Sequence, residues 1–163
     1  MIVVLGGSGF VGSTVVNELT VNGFKVESFS SKNFDLSQPI HNDRILELLD
    51  QAEQIIYCAA KAPAKNYGDL VDNVLMLRHF LDAVRPTIPA LYLSSDAVYE
   101  DSDRPLTENS DISPLSYHGM MHITREFMFT SHFSRSAVVR PTLIYGSGDP
   151  HNGYGPNKFF REF

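Results

Sequence analysis

A single cysteine in 163 residues, Cys58, leaves no partner for an internal disulfide. It lies inside an apolar segment, the setting of a buried, inert thiol rather than of a nucleophile. Basic residues are scarce too: 13 Lys and Arg against 19 Asp and Glu give a formal net charge of −6, and no basic cluster is dense enough to track a phosphate backbone. Nucleic acid and anionic membrane are therefore excluded as primary partners. No apolar run approaches the roughly 20 residues of a membrane span. The N-terminus also lacks the basic, apolar and small-residue regions of a secretory leader, so the expected location is cytoplasmic. Repeats and low-complexity linkers are missing as well. The length suits one domain over residues 1–163, and 43% hydrophobic content supplies an ample core.

What the chain does have begins at its first residue. The apolar run Met1-Ile2-Val3-Val4-Leu5 meets the glycine cluster Gly6-Gly7-Ser8-Gly9-Phe10-Val11-Gly12. The run is short and β-branched, as in a strand buried on both faces of a parallel sheet. Ser13 to Leu19 then has helix-compatible spacing, with Val15, Val16 and Leu19 on one apolar stripe. Glycines at such a strand-to-helix turn allow a tight bend, close approach of backbone to a pyrophosphate, and close packing of helix on strand. The diphosphate would rest on the N–H groups at the positive end of the helix. Two glycine spacings fit, Gly7-x-Gly9-x-x-Gly12 and Gly6-x-x-Gly9-x-x-Gly12, so the motif leaves the subclass open.

Apolar runs and helical patterns then alternate to the end. Strands are expected at Lys25 to Phe29, Gln54 to Ala60, Ala90 to Ser94 and Ser136 to Arg140, with helices near Ile40 to Leu49, Asp72 to Val84 and Tyr117 to Thr130. This order predicts an α/β fold, a doubly wound parallel sheet with right-handed crossovers. Gly23, Pro86, Pro89 and Pro114 punctuate it. Glu100 to Pro114 reads as a solvated acidic loop. Beyond Tyr145 the chain turns Gly- and Pro-rich before a short helical start at Lys158 to Phe163, so the last ten or so residues read as the beginning of a further lobe.

Six further segments, in order, resemble the extended short-chain dehydrogenase/reductase family, whose members include nucleotide-sugar epimerases, dehydratases and reductases. Asp35-Leu36 resembles the acidic-apolar pair at the adenine. Ile56-Tyr57-Cys58-Ala59-Ala60 resembles the strand that ends in two alanines beside the cofactor, with Asn73 matching a helix asparagine that positions the site. Leu93-Ser94-Ser95-Asp96-Ala97-Val98-Tyr99 is similar to the strand end bearing the catalytic serine or threonine, and Ser116-Tyr117 to the catalytic tyrosine. Arg140-Pro141-Thr142-Leu143-Ile144-Tyr145-Gly146 resembles the segment beneath the nicotinamide. The resemblance implies a Rossmann NAD(P)-binding domain. Gly6, Gly9, Phe10, Val11, Gly12, Asp35, Leu36, Ala59, Ala60, Asn73 and Pro141 would then lie at or around the cofactor. It also implies proton transfer by Tyr117 with Ser95 as partner, coupled to hydride transfer, on a nucleotide-sugar substrate. Asp96 would either protonate a leaving hydroxyl or cap the next turn. Homodimers in this family form through the helices matching Asn73 to Val84 and Tyr117 to Thr130, where Phe127, Met128 and Phe133 supply apolar side chains.

Three departures qualify the resemblance. The family pattern Tyr-x-x-x-Lys ends here in Met121, which cannot hold a phenol of pKa about 10 in its ionised form. His118 and His122 flank the gap, yet at about 100° per residue His122 points away from the Tyr117–Met121 line. These histidines have the i, i+4 spacing of a helical metal site but lack the glutamate of a zinc protease, and no metal is expected. Second, Ser30 occupies the usual place of an acid that selects NAD, and with Ser31 and Lys32 it leans the cofactor towards NADP. Third, family members continue into a lobe over the sugar nucleotide that is largely absent here. The Met121 substitution and the missing lobe keep a second reading open: a non-catalytic NAD(P)-binding sensor or partner-binding module.

Overall fold

The computed structural model describes residues 1–150, 152 and 155–162. Five strands, β1 (Ile2–Leu5), β2 (Val26–Phe29), β3 (Gln54–Tyr57), β4 (Ala90–Leu93) and β5 (Ser136–Val139), form one sheet in the order β2-β1-β3-β4-β5. Every pairing is parallel. Leu5 sits level with Phe29 on one side and Tyr57 on the other, and Leu93 sits level with Val139. The strands thus end along one edge, and the order in which successive strands are added switches sides between β1 and β3 while every strand keeps the same direction. Loops leaving that edge on either side of the switch diverge and open a crevice.

Among the described residues the helices are α1 (Phe10–Val21), α2 (Asp43–Asp50), α3 (Tyr67–Leu81), α4 (Tyr117–His132) and α5 (Gly155–Glu162), with a 3-10 turn at Asp96–Val98. The main core joins alternate strand residues Val3, Leu5, Ile55, Tyr57 and Tyr92 to Leu49 of α2, Leu77 and Phe80 of α3, and Phe129 of α4. Aromatic rings dominate it: Tyr57 lies 5.1 Å from Phe80, and Tyr92 lies 5.5 Å from Phe129. The opposite face carries α1 over β1 and β2, while Ala137 and Val139 on β5 stay exposed.

Elements shift against their sequence expectations where caps decide. The helix read from Asp72 begins at Tyr67 because Asn66 accepts a hydrogen bond from Asp69 N, and the helix read from Ile40 begins after Asn42, which accepts from Ile45 N. The strand read as Gln54 to Ala60 stops at Tyr57, so Cys58 to Ala60 leave the sheet as loop. The last helix, read from Lys158, starts at Gly155; Phe163 lies outside the described residues. Among the described residues, no helix is long and apolar enough to cross a membrane.

Candidate functional site

At the Gly6 turn the backbone itself is the surface. Gly6 has φ +87°, and a Cβ there would sit 2.7 Å from Ala59 N on the neighbouring strand end. At Gly12 a Cβ would collide with the carbonyl of Gly6, so only glycine lets α1 approach the turn this closely. Gly6 N and Gly7 N both donate to Phe29 O, and Gly9 N donates to Gly6 O, which fixes the bend. The amides of Phe10, Val11 and Gly12 have no acceptor among the described residues, and Gly9 caps α1 without a side chain. These first-turn donors fit a diphosphate.

Two half-clefts flank this turn and share Gly6, Gly9, Cys58 and Ala60. The first, about 420 Å³, is walled by Ser30, Asp35, Leu36 and Ala59, together with Phe34, Lys61 and Met76. Asp35 accepts from Ser37 N over 2.8 Å, and that amide holds its carboxyl below the usual carboxylate range. Ser30 turns inward on its own loop, its N–H and hydroxyl both directed to Asn33 Oδ1. Lys32 is exposed beside this half-cleft but does not line it.

The second half-cleft, about 500 Å³, is walled by Phe10, Val11, Gly12, Ser95, Asp96, Pro141, His118 and His122, among others. Ser95 donates to Asp96 Oδ1 and accepts from Ala97 N, capping the 3-10 turn. Behind this wall, Ser94 Oγ donates to Glu126, and Arg140 grips both Glu126 oxygens at 2.9 and 2.6 Å. The network ties the ends of β4 and β5 to α4 and raises the Arg140 pKa above its ordinary value. On the shared floor, burial pushes the Cys58 thiol up to about 11, so it stays protonated.

Not every sequence-derived residue reaches these walls. Asn73 lines neither half-cleft; fully buried, it accepts from Lys61 N and donates to Lys61 O and Asp69 O, clamping the loop after β3. Tyr117 also lines neither, and its side chain is 44% exposed. Met121 points into the core with its sulfur 3.4 Å from Arg125 Nη1. His118 and His122, which flank the gap in the family pattern, both face the second half-cleft, although helix phase turned His122 away from the Tyr117–Met121 line. Of the residues expected at a dimer contact, Phe127 is exposed, whereas Phe133 and Met128 pack in or against the core.

A parallel sheet whose glycine-lined turn opens a bipartite crevice at its switch point defines the doubly wound nucleotide-binding class. Within that class, residues 2–163 match the model of the NAD dependent epimerase/dehydratase family, and the chain belongs to that family. It is similar to a decarboxylating sterol-4-alpha-carboxylate 3-dehydrogenase of Dictyostelium discoideum, 26% identical over 88% of this chain and 53% of that protein. It is also similar to a dTDP-4-dehydrorhamnose reductase of Mycolicibacterium smegmatis, 22% identical over 91% of this chain and 47% of that protein. Among solved structures it superposes on MoeE5 in complex with UDP-glucose and NAD, with a TM-score of 0.79 at 21% identity. That match covers 99% of this chain and 58% of MoeE5. The chain spans about half the length of the curated relatives it matches.

Proposed function

We propose that residues 1–163 form the cofactor-binding domain of an NAD(P)-dependent oxidoreductase that acts on a nucleotide sugar, as an epimerase, dehydratase or 4-keto reductase. The observation that carries this reading is the continuous crevice over bare glycine backbone, with first-turn amides of α1 between its two halves. Gly6, Gly9, Phe10, Val11 and Gly12 would hold the diphosphate. Asp35, Leu36 and Ala59 would enclose the adenosine end, with Ser95, Asp96 and Pro141 at the nicotinamide end. When bound, the dinucleotide supplies the hydride chemistry; the chain orients it and offers polar groups to the substrate oxygen. The similarity to a protein bound to UDP-glucose and NAD supports the substrate class.

Lys32 supports a lean towards NADP, because it stands exposed beside the half-cleft with no ion pair among the described residues, whereas Ser30 is turned to Asn33. The acid/base duty that the resemblance gives to Tyr117 draws no support from its exposed position. That position favours the second reading, a binding module without turnover. A homodimer is supported by exposed Tyr67, Val71 and Leu75 of α3 beside Met120 and Phe127 of α4.

Thermal-shift titration with NAD⁺ and NADPH, followed by the nicotinamide absorbance band in the presence of UDP-glucose, separates these readings. Stabilisation with turnover supports the enzyme, and stabilisation without turnover supports the module. No stabilisation by either dinucleotide refutes both.

A further inference from the structure

Two imidazoles stand in the second half-cleft without a role in dinucleotide binding. His118 and His122, one helical turn apart at the start of α4, line it together with Ser95 and Asp96. Their rings meet edge to face with 4.6 Å between centroids. Each ring is held at Nδ1. The backbone N–H of Ala64 points to His118 Nδ1 over 3.4 Å. A main-chain amide only donates, so Nδ1 keeps its lone pair and the neutral ring carries its hydrogen on Nε2.

The second ring follows the same logic. His122 Nδ1 lies 2.8 Å from the hydroxyl of Tyr92. Tyr92 is 1% exposed, and its hydroxyl has no other side-chain or backbone partner among the described residues, so the phenol donates and His122 is also an Nε2–H tautomer. Burial removes the charge from both rings. It brings the His122 pKa down to about 3, aided by His118 and Arg125, and lowers that of His118 against the opposing pull of Asp96. At neutral pH the wall therefore presents uncharged N–H donors in a fixed orientation.

We infer that His118, with His122 behind it as a positioning residue, donates the hydrogen bond to the ligand's reacting oxygen in the second half-cleft, in the place the resemblance gives to Tyr117. The inference rests on the proposed function, which makes that oxygen a carbonyl or hydroxyl of the sugar. A neutral imidazole can polarise such an oxygen and steady charge developing on it without giving up its own proton. The role is one of hydrogen bonding, and no proton leaves either ring. Tyr117, exposed and outside the wall, has no part in it.

The test is side-chain ¹⁵N NMR of the whole chain, free, with NAD⁺, and with NAD⁺ plus UDP-glucose as probe. The free protein is expected to show both rings neutral and Nε2-protonated at about pH 7 to 8, with His122 remaining so well below the usual histidine pKa of about 6.5 and His118 titrating below that value. UDP-glucose is expected to move the His118 Nε2–H resonance. His118→Phe should weaken UDP-glucose binding about tenfold, the loss of one hydrogen bond to a polar group, whereas His118→Gln, which keeps an N–H donor, should recover most of it. Tyr117→Phe should leave it unchanged.

Either ring titrating near its ordinary pKa overturns the inference, as does a Tyr117→Phe variant that loses probe binding while His118→Phe keeps it. NAD⁺ protection with an unmoved His118 resonance sinks this inference alone. No protection by NAD⁺ or NADPH sinks the proposed function and this inference with it.

Discussion

Arg125 donates through Nη2 to the carbonyl oxygen of Ala59 over 2.6 Å, and no carboxylate pairs with its buried charge among the described residues. Its guanidinium instead lies 5.0 Å from the Tyr57 ring and 5.3 Å from the Tyr92 ring, with Nη1 directed to Asn73 Oδ1. Its Nε and the Tyr57 hydroxyl are buried without hydrogen-bond partners. The cation thus braces the loop that walls the first half-cleft. Arg125→Ala leaves a cavity and an orphaned Ala59 carbonyl, and should cost about 3 kcal/mol or more in urea unfolding. A loss under about 1 kcal/mol would show that the brace carries little.

Position 12 admits nothing larger than hydrogen. Because a Cβ would run into the Gly6 carbonyl, a backbone atom that cannot swing aside, Gly12→Ala should push α1 off the turn. We expect destabilisation of about 2–3 kcal/mol and loss of dinucleotide-induced thermal stabilisation. Gly23→Ala serves as a control: it has φ +82° but nothing within 4 Å of its added Cβ, so it should lower stability and leave binding intact.

Placing the family lysine at position 121 should destabilise the fold. Met121 is fully enclosed and its sulfur touches Arg125, so Met121→Lys would bury a second cation beside the first. The expected result is a loss of several kcal/mol, on the order of 3–5, measured by chemical denaturation. A stable variant with raised turnover would contradict the burial.

Stability should fall in mild acid. His122 has a folded-state pKa of about 3 against an ordinary value near 6.5, so between those limits the unfolded chain binds the extra proton. His118 is shifted in the same direction. The His122 contribution is complete above about pH 6.5 and is lost as pH drops towards 3. Tyr92 hydrogen-bonds His122, while His118 and Arg125 both oppose its protonation. His122→Gln should flatten the slope of unfolding free energy between about pH 4.5 and 6.5, above the carboxylate range. An unchanged slope would place the titration elsewhere.

The glycine-lined turn was readable in the chain because its geometry is local. A strand, a glycine turn and a helix start within twelve residues constrain one another, and the two alanines after β3 do the same for the facing wall. The phase of α4 was not readable in this way. Its buried set includes His122, Arg125 and Glu126, side chains that hydropathy assigns to solvent, while apolar Met120 and Phe127 face outward. The family pattern at Tyr117 and Met121 therefore directed attention one residue away from the cleft-lining pair His118 and His122. Asn73, expected to position the site, makes four hydrogen bonds that all close on the protein and clamp the loop after β3.

Because Cys58 is the sole sulfhydryl and lies on the floor common to both halves of the crevice, the molecule carries its own occupancy reporter. Slow alkylation at mildly alkaline pH, followed by mass spectrometry, would read out whether any small molecule covers that floor, without a label having to be introduced.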